Sequence, residues 1–313
     1  MPRKVPWQDV RPSRPRSGRE GTRVTGKQTR GKHPLPVQWE DLTSSDFAEA
    51  VQRAGGVCVL PIGVIEKHGA HLPLSADLLA AREVSVRAAQ REYAVVFPPY
   101  YFGQVYEARH YPGAITIEPD LLTPLLQSVC REIARNGFDK ILIVNGHGGN
   151  IHWLSFFCQA QLAKRADYAV YVVFASRLLR DEQIREQIRK RRRTDWGGHA
   201  DEAESSAIMA LRPDLVRIER AADEDGRPRK RLNDLVEAET GIWWYADFPE
   251  HYAGDASAAD PELGELELEG STRGLVEILR SVKRDKVTPR LQAQFFARAE
   301  APTASPTRRG RKS

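Results

Sequence analysis

The chain has little sulfur and no long apolar run, and each shortage removes a class of protein. Its 313 residues hold three cysteines, Cys58, Cys130 and Cys158, far apart and without a Cys-x-x-Cys pair. Buried reduced thiols are the plain reading, and they point to an intracellular, cytoplasmic compartment. No window approaches the roughly eighteen apolar residues of a membrane span. The N-terminal stretch is basic but lacks an apolar segment, so it is no secretory signal. Gly-x-Gly-x-x-Gly and Gly-x-x-x-x-Gly-Lys-[Ser/Thr] are both absent, which removes the common nucleotide loops. No Ser or Cys stands in a Gly-x-Ser-x-Gly or papain-like context, so a covalent nucleophile is disfavoured. No internal repeat is present.

What is there begins with charge. The net charge is +5, unevenly spread. Residues 1–33 carry ten Lys/Arg against Asp9 and Glu20, and the tail from Pro302 carries four Lys/Arg and no acid, so the stretch between them holds −7. The basic character belongs to the ends. Those ends are rich in Arg, Pro, Gly, Ser and Thr and poor in apolar residues, a composition that cannot offset the entropy of ordering. We therefore expect a disordered basic tail over 1–35, one domain over 36–290, and a C-terminal extension over 291–313 with a basic disordered end. Such tails could touch nucleic acid, but no aromatic interleaving or binding fold accompanies them.

From Trp39 onward helical and strand patterns alternate. Ser45–Ala54 reads as a helix, Val57–Ile62 as a strand, Leu78–Tyr93 as a helix and Ala94–Pro98 as a strand. Pro119–Asn136 reads as a helix, Lys140–Asn145 as a strand, Asn150–Ala163 as a helix, Ala169–Phe174 as a strand and Leu178–Arg193 as a charged helix. Alternation of this kind predicts an α/β fold with a parallel sheet covered on both faces. Residues 212–265 give no clear pattern beyond a long loop or small subdomain.

Chemistry concentrates where strands end. Leu60–Asp77 (LPIGVIEKHGAHLPLSAD) places Glu66, His68, His71 and Asp77 directly after a buried strand. Glu66 and His68 are two apart, so in an extended backbone they face the same way. Asp77 is expected just before the helix that follows, where it could cap it or bridge two ions. Asn145–Asn150 (NGHGGN) presents His147 after the clearest strand. Gly197–Ser206 (GGHADEAESS) offers His199, Asp201, Glu202 and Glu204 before a helical run. Imidazoles and carboxylates converging on one end of a parallel sheet suit a pair of hard divalent ions, zinc, manganese or iron. Such ions make a hydroxide nucleophile from water at neutral pH, and His199 could shuttle protons beside it. Trp153, Trp196, Trp243 and Trp244 are candidates for pocket walls.

At these residues the chain resembles the creatininase (creatinine amidohydrolase) family. LPIGVIEKHGAHLPLSAD, YEARHYPGAITI (Tyr106–Ile117), NGHGGN and HADEAESS are similar to that family's signatures and occur in the same order, across roughly residues 38–285. The resemblance implies a three-layer α/β/α sandwich, a binuclear metal site and a homo-oligomer. It implies that Glu66 and His147 hold one metal, that His68 and Glu204 hold the other, and that Asp77 bridges them. His199 would be the catalytic acid/base, with Trp196, Glu202, His71 and Tyr106 as possible pocket residues. Two departures stand out. Family members that act on creatinine resemble NGHYEN at Asn145–Asn150, so a carboxylate is missing here and Glu204 is its substitute. Asp201 also stands where Gly is usual. The expected activity is hydrolysis of a non-peptide or cyclic amide C–N bond by a metal-bridging hydroxide. Formamide hydrolysis and mycofactocin-type peptidase activity are the alternatives, and a nucleic-acid-associated protein acting through its tails is the alternative of another class.

Overall fold

A computed structural model describes residues 34–303 except Val236. The expected basic disordered ends fall outside those residues except at 34–35 and 302–303, while 291–299 of the expected C-terminal extension belong to a helix that begins at Val287. The parallel sheet is formed by β1 (Val57–Ile62), β2 (Val95–Val96), β3 (Lys140–Asn145) and β4 (Ala169–Phe174), in the order β2-β1-β3-β4. Every pairing is parallel, and β1 and β3 run in register from Val57↔Lys140 to Ile62↔Asn145.

The side-chain period of two divides this sheet between two cores. Cys58, Leu60 and Ile62 of β1, with Ile141 and Ile143 of β3, face one helical layer: α1 (Phe47–Arg53), α3 (Pro119–Arg135) and α4 (Asn150–Ala160). Val57, Val59, Leu142 and Val144 face the other, made by α2 (Ala76–Arg91), α6 (Glu202–Leu211) and α8 (Pro261–Arg284). The fold is thus a mainly parallel sheet with helices on both faces, an α/β/α sandwich. Charged α5 (Glu182–Arg191) packs on α8, and α9 (Val287–Ala299) lies against β4. A two-stranded antiparallel ribbon, β5 (Gly197–His199) with β6 (Ala253–Gly254), stands apart from the main sheet.

Local chemistry shifts some expected boundaries. Helix α2 starts at Ala76, not Leu78, so Asp77 lies inside its first turn, where the helix dipole favours a carboxylate. Helix α5 starts at Glu182, because the Asp181 carboxylate accepts from the backbone N–H groups of Gln183 and Ile184. In α6 Asp201 does the same for Ala203 and Glu204. The stretch 212–265 holds 3₁₀ turns, the short helix α7 (Trp243–Asp247) and β6. No helix among the described residues is long and apolar enough to cross a membrane.

Candidate metal centre

The carboxyl ends of β1 and β3, the first turn of α2 and the β5–α6 junction converge on one buried cluster. Glu66, His68, Asp77, His147 and His199 are each under a tenth exposed, while Glu204 keeps 38% of its side-chain surface. The segment after β1 runs without regular structure, held by Glu66 N–H donating to the Leu74 carbonyl. Two asparagines of NGHGGN frame His147. Asn145 donates from Nδ2 to the His147 carbonyl, and Asn150 donates to Asn145 Oδ1 while accepting from the Gln104 backbone N–H.

Hydrogen bonding fixes which imidazole nitrogens face inward. His147 Nε2 lies 2.9 Å from the Gln104 carbonyl oxygen, which can only accept, so Nε2 carries the proton. In the neutral ring Nδ1 is then a lone pair. It faces Glu66 Oε1 and Asp77 Oδ2, each at 2.8 Å. Those two oxygens are buried without a hydrogen-bond partner. Three lone pairs out of contact with water cannot satisfy one another, and a proton or a cation must stand between them. His68 repeats the pattern. Its Nδ1 points at the Glu66 carbonyl, 3.3 Å away, leaving Nε2 facing Asp77 Oδ1 at 3.1 Å and Glu204 Oε2 at 4.0 Å. His199 donates from Nε2 to the Lys67 carbonyl at 2.8 Å. Among the described residues, Glu66/Asp77/His147 and His68/His199/Glu204 each bring three donor atoms within ion-holding reach, and Glu66/His199/His251 forms a third group. The donor chemistry fits divalent ions.

The electrostatics are those of a tightly compensated site. Burial pushes Glu66 and Asp77 up, but the facing imidazoles outweigh it and hold both carboxyls below their ordinary range. Burial lowers His68, yet the Asp77 and Glu66 charges raise it to about 9, and His147 is likewise held well above its usual value. Burial and the neighbouring His68 depress His199 to about 3. Glu204 is pushed up to about 8 by burial, with Asp77 and Asp201 adding repulsion against the attraction of His68.

The expected pocket residues separate. Glu202 is fully buried and its carboxylate accepts from the backbone N–H groups of Arg193 and Thr194 and from the Thr194 hydroxyl, so it pins the turn before β5 instead of lining a pocket. His71 is also buried; its Nε2 reaches the Ala200 carbonyl and Ser205 Oγ, bracing the His199 turn. Tyr106 donates to the Ile117 carbonyl and fastens its own loop. Trp153 packs against the core, and Trp243 is exposed. Trp196 lines a cavity of about 560 Å³ with Tyr252 and Glu224. A second cavity, about 380 Å³, borders Asp77, Asn145 and Glu204 and extends to Arg192, Asp201 and Glu267. Asp201, the departure from Gly, caps α6 and pairs with Arg192 at 3.0 Å. Sequence reasoning missed Gln104 and His251. The asparagines flanking His147 were a signal for a braced loop; a lone histidine at 251 offered none.

A parallel α/β/α sandwich with imidazoles and carboxylates gathered at its strand ends defines a class of metal-dependent hydrolase. Residues 40–279 match the family model described as creatininase, creatinine amidohydrolase, and the chain belongs to that family of amidohydrolases. It is 26% identical over 253 residues to creatinine amidohydrolase of Pseudomonas putida, covering 77% of this chain and 95% of that one. It is 35% identical over 103 residues to the mycofactocin precursor peptide peptidase of Mycolicibacterium smegmatis, covering 31% of this chain and 41% of that one. Solved creatininase structures, a variant in a Zn–Zn form and a manganese form, align with TM-score 0.67 at 25% identity, over 80% of this chain and 100% of theirs.

Proposed function

We propose that this protein hydrolyses a non-peptide or cyclic amide C–N bond at a centre holding two divalent ions. Glu66 and His147 would hold one ion, His68 and Glu204 the other, with Asp77 shared. The carrying observation is the set of three buried lone pairs, Glu66 Oε1, Asp77 Oδ2 and His147 Nδ1, with two oxygens unpartnered. Ions bound there would acidify water and polarise a carbonyl oxygen. The backbone carbonyls of Gln104 and Lys67 keep the outward nitrogens of His147 and His199 protonated, so each ring presents its other nitrogen as a base. His199, with Nε2 committed to the Lys67 carbonyl and its ring stacked on His68, would take a proton from the attacking water at its other nitrogen and return it to the departing nitrogen. Zinc is favoured, since the Zn–Zn creatininase relative shares this fold, and the manganese relative keeps manganese open. The same reading carries a homo-oligomer in the cytoplasm.

The test is metal analysis of purified protein followed by a screen of cyclic amides, formamides and short peptides. Two zinc or manganese ions per chain and turnover of a cyclic amide are expected, with Glu66→Gln and His147→Ala losing both. His199→Ala should retain ions while kcat falls about 10²- to 10⁴-fold. Protein that takes up no divalent metal, or a Glu66→Gln variant with undiminished turnover, sinks the reading. The mycofactocin-peptidase likeness favours one second reading, peptide cleavage, which the same screen detects.

A further inference from the structure

His251 lies in a stretch without local pattern, 185 positions from Glu66, yet it is buried beside it. Its Nε2 is 2.6 Å from Glu66 Oε2, while Glu66 Oε1 faces His147 and Asp77. The Trp244 indole N–H, a donor only, points at His251 Nδ1 from 2.9 Å. Nδ1 therefore accepts, the ring proton sits on Nε2, and Nε2 donates to Glu66. The backbone at His251 is left-handed, φ 53°, a conformation an L-residue keeps only when its surroundings impose it. Its carbonyl accepts from the Gly69 N–H and ties the loop to the segment between His68 and His71. The ring also stacks edge-on against His199, centroids 4.6 Å apart.

We infer that His251 is a positioning residue: with its tautomer fixed by Trp244, it holds one oxygen of Glu66 so that the other is presented to the metal centre. The inference rests on the metal-dependent reading above. His251 belongs to a group that could itself hold an ion with Glu66 and His199. The tautomer argues against that role, because ligation needs the lone pair that Nε2 lacks while Trp244 occupies Nδ1. Trp244 and His251 come from the same connection, so the loop and short helix before β6 complete a site otherwise built at strand ends.

The test combines calorimetric titration of zinc or manganese into chelator-stripped protein with histidine ¹⁵N NMR of the metal-free chain. Relative to wild type, His251→Ala should bind about 10- to 100-fold more weakly with the number of ions unchanged. His251→Gln, whose amide still donates to Glu66 but offers no imidazole, should recover to within a few-fold and keeps the test open if the alanine variant fails to fold. The metal-free spectrum should show His251 protonated on Nε2, with a tautomer mixture in Trp244→Phe. Wild-type affinity in His251→Ala overturns the inference. So does loss of one ion from both variants, which would make His251 a ligand, or a proton found on Nδ1. If wild-type protein takes up no ion, the hydrolase reading fails, while the tautomer still decides whether His251 donates to Glu66.

Discussion

At the residue scale the centre is a contest between protons and ions. His68 is raised from 6.5 to about 9 by carboxylates that burial alone could not offset. A group raised on folding stabilises the fold fully below its unfolded value and loses that contribution as pH climbs through the folded one. Asp77 and Glu66 are lowered, so their contribution is present above the ordinary carboxylate range and fades in acid. Chelated protein should therefore melt highest at mildly acidic pH and weaken steadily between pH 6.5 and about 9. Ion uptake runs the other way, because binding expels those protons, so affinity should climb over the same window. Titration in buffers of differing ionisation enthalpy checks this, and flat affinity without proton release would contradict it. Gly149 matters for the same histidine. A Cβ there would stand 2.5 Å from His147 Nε2 and 3.0 Å from the Gln104 carbonyl oxygen. Gly149→Ala should turn the ring and weaken ion binding about 10-fold or more with little change in global stability. The glycines of NGHGGN thus admit the Gln104 backbone that sets the tautomer of His147.

At the element scale the site depends on α2 docking tightly against the end of β1. A Cβ on Gly63 would meet the Leu78 backbone nitrogen at 2.4 Å and its Cα at 2.5 Å. Backbone cannot swing aside as a side chain can. Gly63→Ala should therefore cost about 3 kcal/mol, the upper part of the overpacking range, by urea denaturation. It should also shift Asp77 and weaken ion binding, and an unperturbed midpoint would show that α2 has more freedom here than its packing implies. This junction was legible because β1 is a continuous apolar run and chemistry follows it at once. Strands β1 and β3 were readable for that reason, their buried residues forming unbroken stretches, and β4 as an apolar run whose middle, Val170 to Val172, is half-buried. Helix α8 was not read, although Leu263, Leu268, Leu275, Leu279 and Val282 lie on its buried face. Gly264, Gly270 and Gly274 interrupt that face because α6, the connection at Leu178 and Leu179, and Ile184 of α5 approach it closely, so its period is diluted in sequence while its packing is tight. Residues 212–260 stayed opaque for a different reason. Their order comes from distant partners, such as Lys67 pairing with Glu224 and Glu66 meeting His251, and no local period records such contacts.

At the scale of the whole molecule, charge separates from chemistry. Every residue of the candidate centre lies between Glu66 and His251, within a stretch that carries −7 between basic ends. The cavity beside the centre adds Asp77, Asp201, Glu204 and Glu267 against Arg192, and burial pushes Glu267 up to about 7. Arg192 is the one basic residue in that lining and is already paired with Asp201, so nothing in these walls would attract a polyanion. The two function classes left open by sequence can therefore be pulled apart physically. A chain lacking residues 1–33 should take up divalent ions with unchanged affinity and keep its melting temperature. Any affinity of the full chain for duplex DNA should fall steeply with salt and vanish in that shortened chain, since it would rest on counterion release by the ten basic residues of the N-terminal stretch. Ion uptake followed by calorimetry and DNA binding followed by fluorescence anisotropy across a salt series measure the two separately. DNA affinity that survives the deletion would place a nucleic-acid surface on the folded body or on the four basic residues after Pro302, and loss of ion binding would mean that the basic stretch supports the centre itself.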